Sequence, residues 1–206
     1  SAMSSAYVTA HPPRSQIMSQ YGDALPAFIE TFEPARTVPY LADVARLERA
    51  RIRAFHAGEA ASPGPDLGTD MSAALDQSYA LHPSATWISS AYPILRIWDA
   101  HQASDIEPVE NWTAQDVLVF RSADGVRQAE LSRSEREFLS NLLVAPSLSA
   151  ALDRYSTGAD AFAAVRILTR LHHAHAVVAM PTLPKPEESP CFNSPNSQVC
   201  RSGLKP

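Results

Sequence analysis

Helical spacing of apolar residues predicts a helical first half of the chain. Apolar positions recur every three or four residues in stretches bounded by residues that favour helix ends. The predicted helices cover about residues 23–32, 39–57 and 69–77, with a further helical turn near 15–21. Asp23 suits an N-cap position, Pro39 a first helical position and Gly58 a helix stop. Residues 58–70 are rich in glycine and proline and predict a loop.

The second of these helices carries an apolar stripe with one charged residue in it. The stripe consists of Leu41, Val44, Ala45, Ile52 and Phe55. Such a stripe is typical of a helix that packs on a core. Glu48 interrupts it at the middle, and two interpretations stay open. In one, Glu48 pairs with Arg49 or Arg51 at the helix surface. In the other, it is partly buried and holds Arg96 or His101 of another element.

The second half of the chain predicts a small sheet. Apolar runs indicate strands over residues 85–92 and within 111–121, separated by a short helix over 94–101. Asp124 followed by Gly125 is a strong hairpin signal. The return strand then presents two faces, with Val126, Gln128 and Glu130 on one and Arg127, Ala129 and Leu131 on the other.

Three predicted helices follow the hairpin, over residues 132–143, 147–155 and about 160–178. Ser132 and Glu135 form a capping-box pattern at the start of the first. This order predicts an α+β fold, in which N-terminal helices pack on a winged-helix-like part with a small antiparallel sheet. We expect a helical part over residues 4–80, a winged-helix-like part over 81–180 and a proline-rich, disordered tail over 181–206.

Charge and hydropathy narrow the function classes. The 206 residues carry 17 Lys and Arg against 22 Asp and Glu, a formal net charge of −5. Nucleic-acid binders cluster Lys and Arg to neutralise phosphates, so this balance argues against nucleic acid as a partner. No apolar run reaches the roughly 20 residues of a membrane span, and no secretory signal is visible. We therefore expect a cytoplasmic protein without a membrane partner.

Residues that could carry chemistry are few. Cys191 and Cys200 both lie in the proline-rich tail, where a reduced pair is expected. His172 and His175 could share a helix face, but a metal site needs three or four converging ligands, so we expect no metal there. The sequence has no nucleophile elbow, Walker loop or dinucleotide-binding glycine motif. We expect a non-catalytic protein.

The hairpin followed by three helices is the order of a winged-helix module. DNA binding would need Lys and Arg on the recognition helix, and the second and third predicted helices offer only Arg154, Arg166 and Arg170. Capture of a peptide as an added strand needs little charge, because backbone hydrogen bonds supply the affinity. The strand over residues 126–131 is a suitable template, and we expect Val165 and Leu168 to line the adjacent groove.

Several motifs resemble a bacterial protein family. Residues 38–48 (VPYLADVARLE) are similar to its signature helix, and residues 82–84 (HPS) followed by 92–98 (YPILRIW) are similar to its second motif. Residues 11–15 (HPPRS) match the segment ahead of that helix. The family is often labelled as containing a DNA-binding domain. It includes the partner proteins of multinuclear non-heme iron oxidative enzymes, which modify ribosomally made peptides in methanobactin and bufferin biosynthesis.

The resemblance implies a non-catalytic accessory subunit with no cofactor of its own. In this family the iron lies in a TIM-barrel partner enzyme, and the accessory protein forms a heterodimer with it and helps to hold the leader of the precursor peptide. Residues 112–178 also resemble the peptide-recognition winged helix of PqqD-type proteins, which bind a leader as an added strand. The expected enzyme interface consists of Tyr40, Asp43, Leu47, Glu48, Tyr92 and Trp98. A winged-helix DNA-binding transcriptional regulator is the alternative.

Overall fold

A computed structural model shows an α+β fold. It describes residues 2–16, 21–59, 70–102, 104, 108–155 and 161–180, without the side chains of 161 and 162. The helices are α1 (Ala2–Ala10), α2 (Leu25–Thr31), α3 (Leu41–His56), α4 (Met71–Leu75), α5 (Ile94–Ala100), α6 (Arg133–Val144), α7 (Leu148–Tyr155) and α8 (Ala161–His173). The strands are β1 (Tyr79–Leu81), β2 (Thr86–Ser90), β3 (Gln115–Ser122), β4 (Gly125–Glu130) and β5 (Val177–Ala179).

A three-stranded antiparallel sheet, in the order β2-β3-β4, separates two hydrophobic cores. Side chains alternate between the faces of a strand, so β3 contributes to both cores. Leu118 and Phe120 pack with α6, α7 and α8 on one face, and Val117 and Val119 pack with α3 and α5 on the other. A separate antiparallel pair, β1 and β5, joins the α6–α8 core through Tyr79 and Val177.

The predicted hairpin and the three helices after it are confirmed. The two strands meet at a tight turn, and Gly125 takes a φ of 113°, a conformation that favours glycine. Helix α6 begins with the predicted capping box. The Ser132 hydroxyl accepts a hydrogen bond from the Glu135 backbone N–H, and the Glu135 carboxylate accepts one from the Ser132 backbone N–H.

Among the described residues, four elements were not predicted, namely α1, β1, β5 and a short 3-10 helix over Glu33–Ala35. The last helix was expected to reach Val178 but ends at His173. His175 then adopts a positive φ of 55°, and the chain turns back to pair β5 with β1. Strands of three residues carry too little alternation to be recognised in a sequence. Parts of the predicted segments 15–21 and 58–70, and the whole tail with its two cysteines, lie outside the described residues.

Helix α3 packs with a face that the apolar stripe did not predict. Leu47, Ala50 and Ala54 are buried against the sheet. Ile52 and Phe55, expected on the packed face, are 41% and 66% exposed. The two alanines contribute little hydrophobicity to a sequence pattern, yet their small side chains let the helix approach the sheet closely. The stripe that stands out in the sequence therefore faces outward over its C-terminal half.

Candidate functional site: the free edge of strand β4

Hydrogen bonding in the hairpin determines which backbone groups of β4 are free. The Leu131 N–H donates to the Asp116 carbonyl over 2.8 Å, directly beyond the end of the β3–β4 ladder. In antiparallel pairs, hydrogen-bonded residues alternate with residues whose backbone groups point to the other side. Since Leu131 is a hydrogen-bonded residue, the backbone N–H and C=O groups of Ala129 and Arg127 also face β3.

The remaining residues of β4 present an open edge. The N–H and C=O groups of Val126, Gln128 and Glu130 point away from β3, and no other described strand pairs with them. An exposed row of donors and acceptors is a template on which another extended chain can form hydrogen bonds. All three residues belong to the strand segment that the sequence singled out for peptide binding.

Gln128 has an unmet hydrogen-bonding group at this edge. It lies across from Val119, on the face of the sheet that packs on α3 and α5. Its side-chain oxygen is buried and has no partner among the described residues. A buried acceptor left unsatisfied costs about 1–3 kcal/mol. If the Gln128 amide turned toward the edge, a donor of a bound chain would reach this oxygen and remove the cost.

Glu130 connects the end of the open edge to helix α5. Its carboxylate accepts hydrogen bonds from Gln115 Nε2 at 2.8 Å and from the Arg96 guanidinium at 3.3 Å. Gln115 is 2% exposed, and its side-chain oxygen accepts the backbone N–H of Leu95 at 3.0 Å. The start of α5 is thereby held by β3 and β4 together. Arg96, proposed as a partner of a buried Glu48, is instead the partner of Glu130.

Two residues predicted to take part in peptide binding, Leu131 of the strand and Leu168 of the adjacent groove, are core residues. Leu168 has no exposed surface, and Leu131 is buried in the same cluster, so neither offers its side chain to a peptide. Val165 is half-buried. Arg170 of α8 pairs with Glu135 over 2.8 Å, which places the C-terminal half of α8 beside the residues that follow β4.

The predicted enzyme interface divides into core and surface. Leu47 has no exposed surface, so its assignment to an interface is corrected to the core between α3 and the sheet. Asp43 accepts a hydrogen bond from the Ser90 hydroxyl at 2.6 Å and pairs with Arg46, which ties α3 to β2. Glu48 is exposed, so the interpretation of a partly buried carboxylate is wrong.

Two aromatic members of that interface, Tyr40 and Tyr92, lie together with Trp112, which was not predicted as a site residue. The Tyr40 and Tyr92 rings are 6.2 Å apart, and Trp112, which is 54% exposed, lies 5.5 Å from Tyr40. Trp98 is half-buried beneath the Arg51 guanidinium, 4.1 Å from its ring centre. The only sequence signal for Trp112 was an isolated tryptophan in a polar segment ahead of a strand.

The HPS motif has a structural role at the turn end of the hairpin. His82 is buried, and its Nδ1 accepts the Ser84 backbone N–H at 3.1 Å. The Ser84 hydroxyl in turn accepts the Arg121 backbone N–H at 3.2 Å. The Arg121 guanidinium donates to the carbonyls of Phe55 and Ala57 at 2.9 and 2.7 Å. The motif therefore fixes the sheet to the end of α3. Burial lowers the pKa of His82, which favours the neutral ring that this geometry needs.

The opposite edge of the sheet is open as well. The β2–β3 register leaves the backbone groups of Trp87 and Ser89 pointing outward, with no described strand beside them. A cleft of about 460 Å³ runs along this edge. Its basic side chains are already paired, because Arg49 and Arg53 both bind the carboxylate of Asp23.

Two findings concern metals and membranes. Within the described ranges, no three His, Cys, Asp or Glu side chains lie close enough together to hold a metal ion. In the same part of the chain, no helix is long and apolar enough to cross a lipid bilayer.

Comparison of the sequence with models of known protein families gives no match, and a search among curated proteins gives none either. The functional conclusion therefore depends on the fold, the open edge of β4 and the motifs in the sequence.

Proposed function

We propose that this chain is a non-catalytic accessory subunit that holds the leader of a precursor peptide along strand β4. Its partner is an iron-dependent, TIM-barrel oxidase that modifies the peptide in the cytoplasm. The observation that carries the proposal is the free edge of the sheet at Val126, Gln128 and Glu130. Three helices follow this sheet in the chain. The resemblance of the HPS and YPILRIW motifs supports the choice of partner, and on this proposal the iron belongs to the oxidase alone.

Strand addition suits the chemistry of this edge. Backbone hydrogen bonds give affinity for any extended chain, and side-chain contacts on either face give specificity. The buried oxygen of Gln128 lies on one face, and the exposed guanidinium of Arg127, which pairs with Asp124 at 3.4 Å, lies on the other. A leader with a hydrogen-bond donor near Gln128 would suit the first face, and an acidic residue near Arg127 would share its guanidinium with Asp124.

A matched pair of proline variants tests the proposal. Proline removes one backbone N–H and is tolerated in a strand where that N–H points away from the ladder. Gln128→Pro removes an outward N–H from β4, and Ser89→Pro removes one from β2. Fluorescence anisotropy would measure binding of the labelled leader of a candidate precursor peptide.

We expect Gln128→Pro to weaken leader binding about tenfold or more, since it removes a hydrogen bond and places a ring at the contact. Ser89→Pro should bind as the wild type does. Circular dichroism establishes that both variants fold. Equal binding by wild type and a folded Gln128→Pro variant would show that the leader does not add to β4.

The alternative, a winged-helix DNA-binding regulator, is favoured only by the order of the elements. It predicts binding to duplex DNA that weakens steeply as salt is raised. The exposed basic residue of α7 is Arg154, and α8 offers Arg166 and Arg170, the latter paired with Glu135. A gel-shift titration at low salt that shows no complex with any duplex would exclude this function.

A further inference from the structure

The segment that follows α1 carries a histidine and an arginine separated by two prolines. Proline restricts φ to about −65°, which favours the polyproline II conformation. That conformation has three residues per turn, so residues three apart face the same side. His11 and Arg14 are therefore expected on one face of the segment, and in the structure both line the same cavity. The proposed function gives this segment no role.

The cavity has a volume of about 410 Å³ and lies between this segment and the turn that precedes α2. This volume falls within the roughly 300–1,000 Å³ that is typical of small-molecule sites. Most of the described residues around it are apolar or aromatic, namely Tyr7, Ala10, Pro12, Tyr21 and Ala24. Such walls favour a ligand with a flat apolar body over a bare inorganic ion.

Neighbouring aromatic rings hold the His11 ring in place. It stacks on the Tyr7 ring, with the centres 4.8 Å apart and the planes inclined by 18°, and Phe28 meets it edge-on at 5.9 Å. The Tyr21 hydroxyl donates to the His11 carbonyl at 2.9 Å, which joins the two sides of the cavity. The imidazole is thereby oriented, and its Nδ1 has no hydrogen-bond partner among the described residues.

The charges around the cavity favour an anion. Arg14 is exposed, and its guanidinium makes no ion pair with any residue that the structure describes. Asp23 is the one acidic residue of the described walls, but Arg49 and Arg53 already bind its carboxylate. A cationic ligand would compete with two guanidinium groups for Asp23. A carboxylate would instead find Arg14 available for a two-point contact.

We propose that this cavity binds a small organic anion, whose carboxylate contacts Arg14 and His11 and whose flat apolar body packs on Tyr21 and Pro12. The guanidinium supplies the charge and two parallel donors, and a neutral imidazole supplies one further N–H donor. None of these residues belongs to β4, so the inference goes beyond leader binding and does not depend on it.

Four small probes separate the effect of charge from the effect of shape. Benzoate has both proposed features, and benzamide is its neutral counterpart. Benzylamine places a cation on the same ring, and inorganic phosphate is an anion without an apolar body. NMR titrations of the full chain give the four dissociation constants. Shifts of the His11 ring protons and of the Tyr21 backbone amide locate the site.

We expect benzoate to bind about tenfold more tightly than benzamide, and benzylamine and phosphate to bind more weakly than benzoate, because only benzoate uses both the charge and the apolar walls. Arg14→Gln should reduce the benzoate affinity to that of benzamide. His11→Phe keeps a stacking ring and should weaken benzoate binding about threefold. The matched control is Arg166→Gln, an exposed position on α8, which should bind benzoate as the wild type does. Circular dichroism establishes that the variants fold.

Several outcomes would overturn the proposal. Tighter binding of benzylamine than of benzoate would make the cavity a cation site. Equal affinities for benzoate and benzamide, phosphate binding as tight as benzoate, no binding of benzoate, or full benzoate affinity in a folded Arg14→Gln variant would each show that no organic anion is recognised here.

Leader binding separates this inference from the proposed function. Arg14→Gln should bind the leader normally, because the cavity contains no residue of β4. If benzoate is selected while no leader binds, the anion site stands and the proposed function is wrong. If the leader binds while the four probes are not discriminated, only the anion site is wrong.

Discussion

The two edges of the central sheet are both open, yet they differ in what they leave unsatisfied. Along β2, the neighbouring charges are neutralised within the chain, as Asp23 binds both Arg49 and Arg53. Along β4, the buried oxygen of Gln128 has no partner among the described residues. An open row of backbone groups is therefore not sufficient to mark a binding site. The two edges differ in the groups beside them, because paired charges lie along β2 and a buried side-chain oxygen lies beside β4.

The largest expected effect on stability tests the β3–β4 register, which determines the backbone groups of β4 that face outward. Ala129 donates its N–H into the β3–β4 ladder, whereas Gln128 does not. Ala129→Pro should lower the free energy of unfolding by about 3 kcal/mol, since it removes a ladder hydrogen bond and leaves a buried carbonyl unpaired. Gln128→Pro should cost far less. Urea denaturation of the two variants measures the difference, and equal losses would mean that the register is shifted by one residue.

A smaller effect is expected from the ion pair beside β2. Burial alone would raise the pKa of Asp23, but hydrogen bonds from Arg49 and Arg53 hold it below its ordinary value. Asp23→Asn should destabilise the fold at neutral pH by about 1 kcal/mol, a modest figure because the carboxylate is nearly half exposed. The loss should vanish at a pH well below 4, where the wild-type carboxyl is also protonated.

The affinity of the Asp23→Asn variant for the leader tests whether the β2 and β4 edges differ in function. If β2 is only a structural edge, Asp23→Asn should change stability without changing leader binding. A matched reduction in leader affinity would instead indicate that the β2 cleft takes part in binding, and the distinction between the edges would fail.

The smallest expected effect is a pH dependence of stability that arises from His82, at the turn end of the hairpin. Burial lowers the pKa of His82; Arg121 and His175 lower it further, while Glu59 opposes them. The unfolded chain then binds a proton more readily than the folded one, so stability should decrease as the pH falls below about 6.5. In the His82→Asn variant, this contribution to the change of stability with pH should be absent. Thermal melts between pH 8 and 5 measure it, and a slope that persists in the variant would assign it to other groups.

Local signals in the sequence were sufficient for the hairpin and for the start of α6. Asp124 and Gly125 encode a tight turn, and Ser132 and Glu135 encode a cap, through interactions within a few residues. The strand chosen for peptide binding was recognised from its place after that turn. Its free edge could only be inferred, because pairing depends on which strands are adjacent in the fold.

Features set by distant residues were not predictable in this way. The packed face of α3 depends on how closely Ala50 and Ala54 approach the sheet, and the large residues of the opposite stripe gave the wrong expectation. Gln115 caps α5 from another strand, which no spacing in the sequence reveals. Trp112 becomes meaningful only when the fold brings it beside Tyr40.

Amide hydrogen exchange on the full chain, with and without the precursor leader, tests strand addition to β4 most directly. The N–H groups of Val126, Gln128 and Glu130 face outward and should exchange quickly in the free protein. Strand addition predicts that at least Gln128 becomes strongly protected when the leader binds, while Trp87 and Ser89 stay unchanged. Leader binding with protection of Trp87 and Ser89 in place of Gln128 would show that the leader adds to β2 and not to β4.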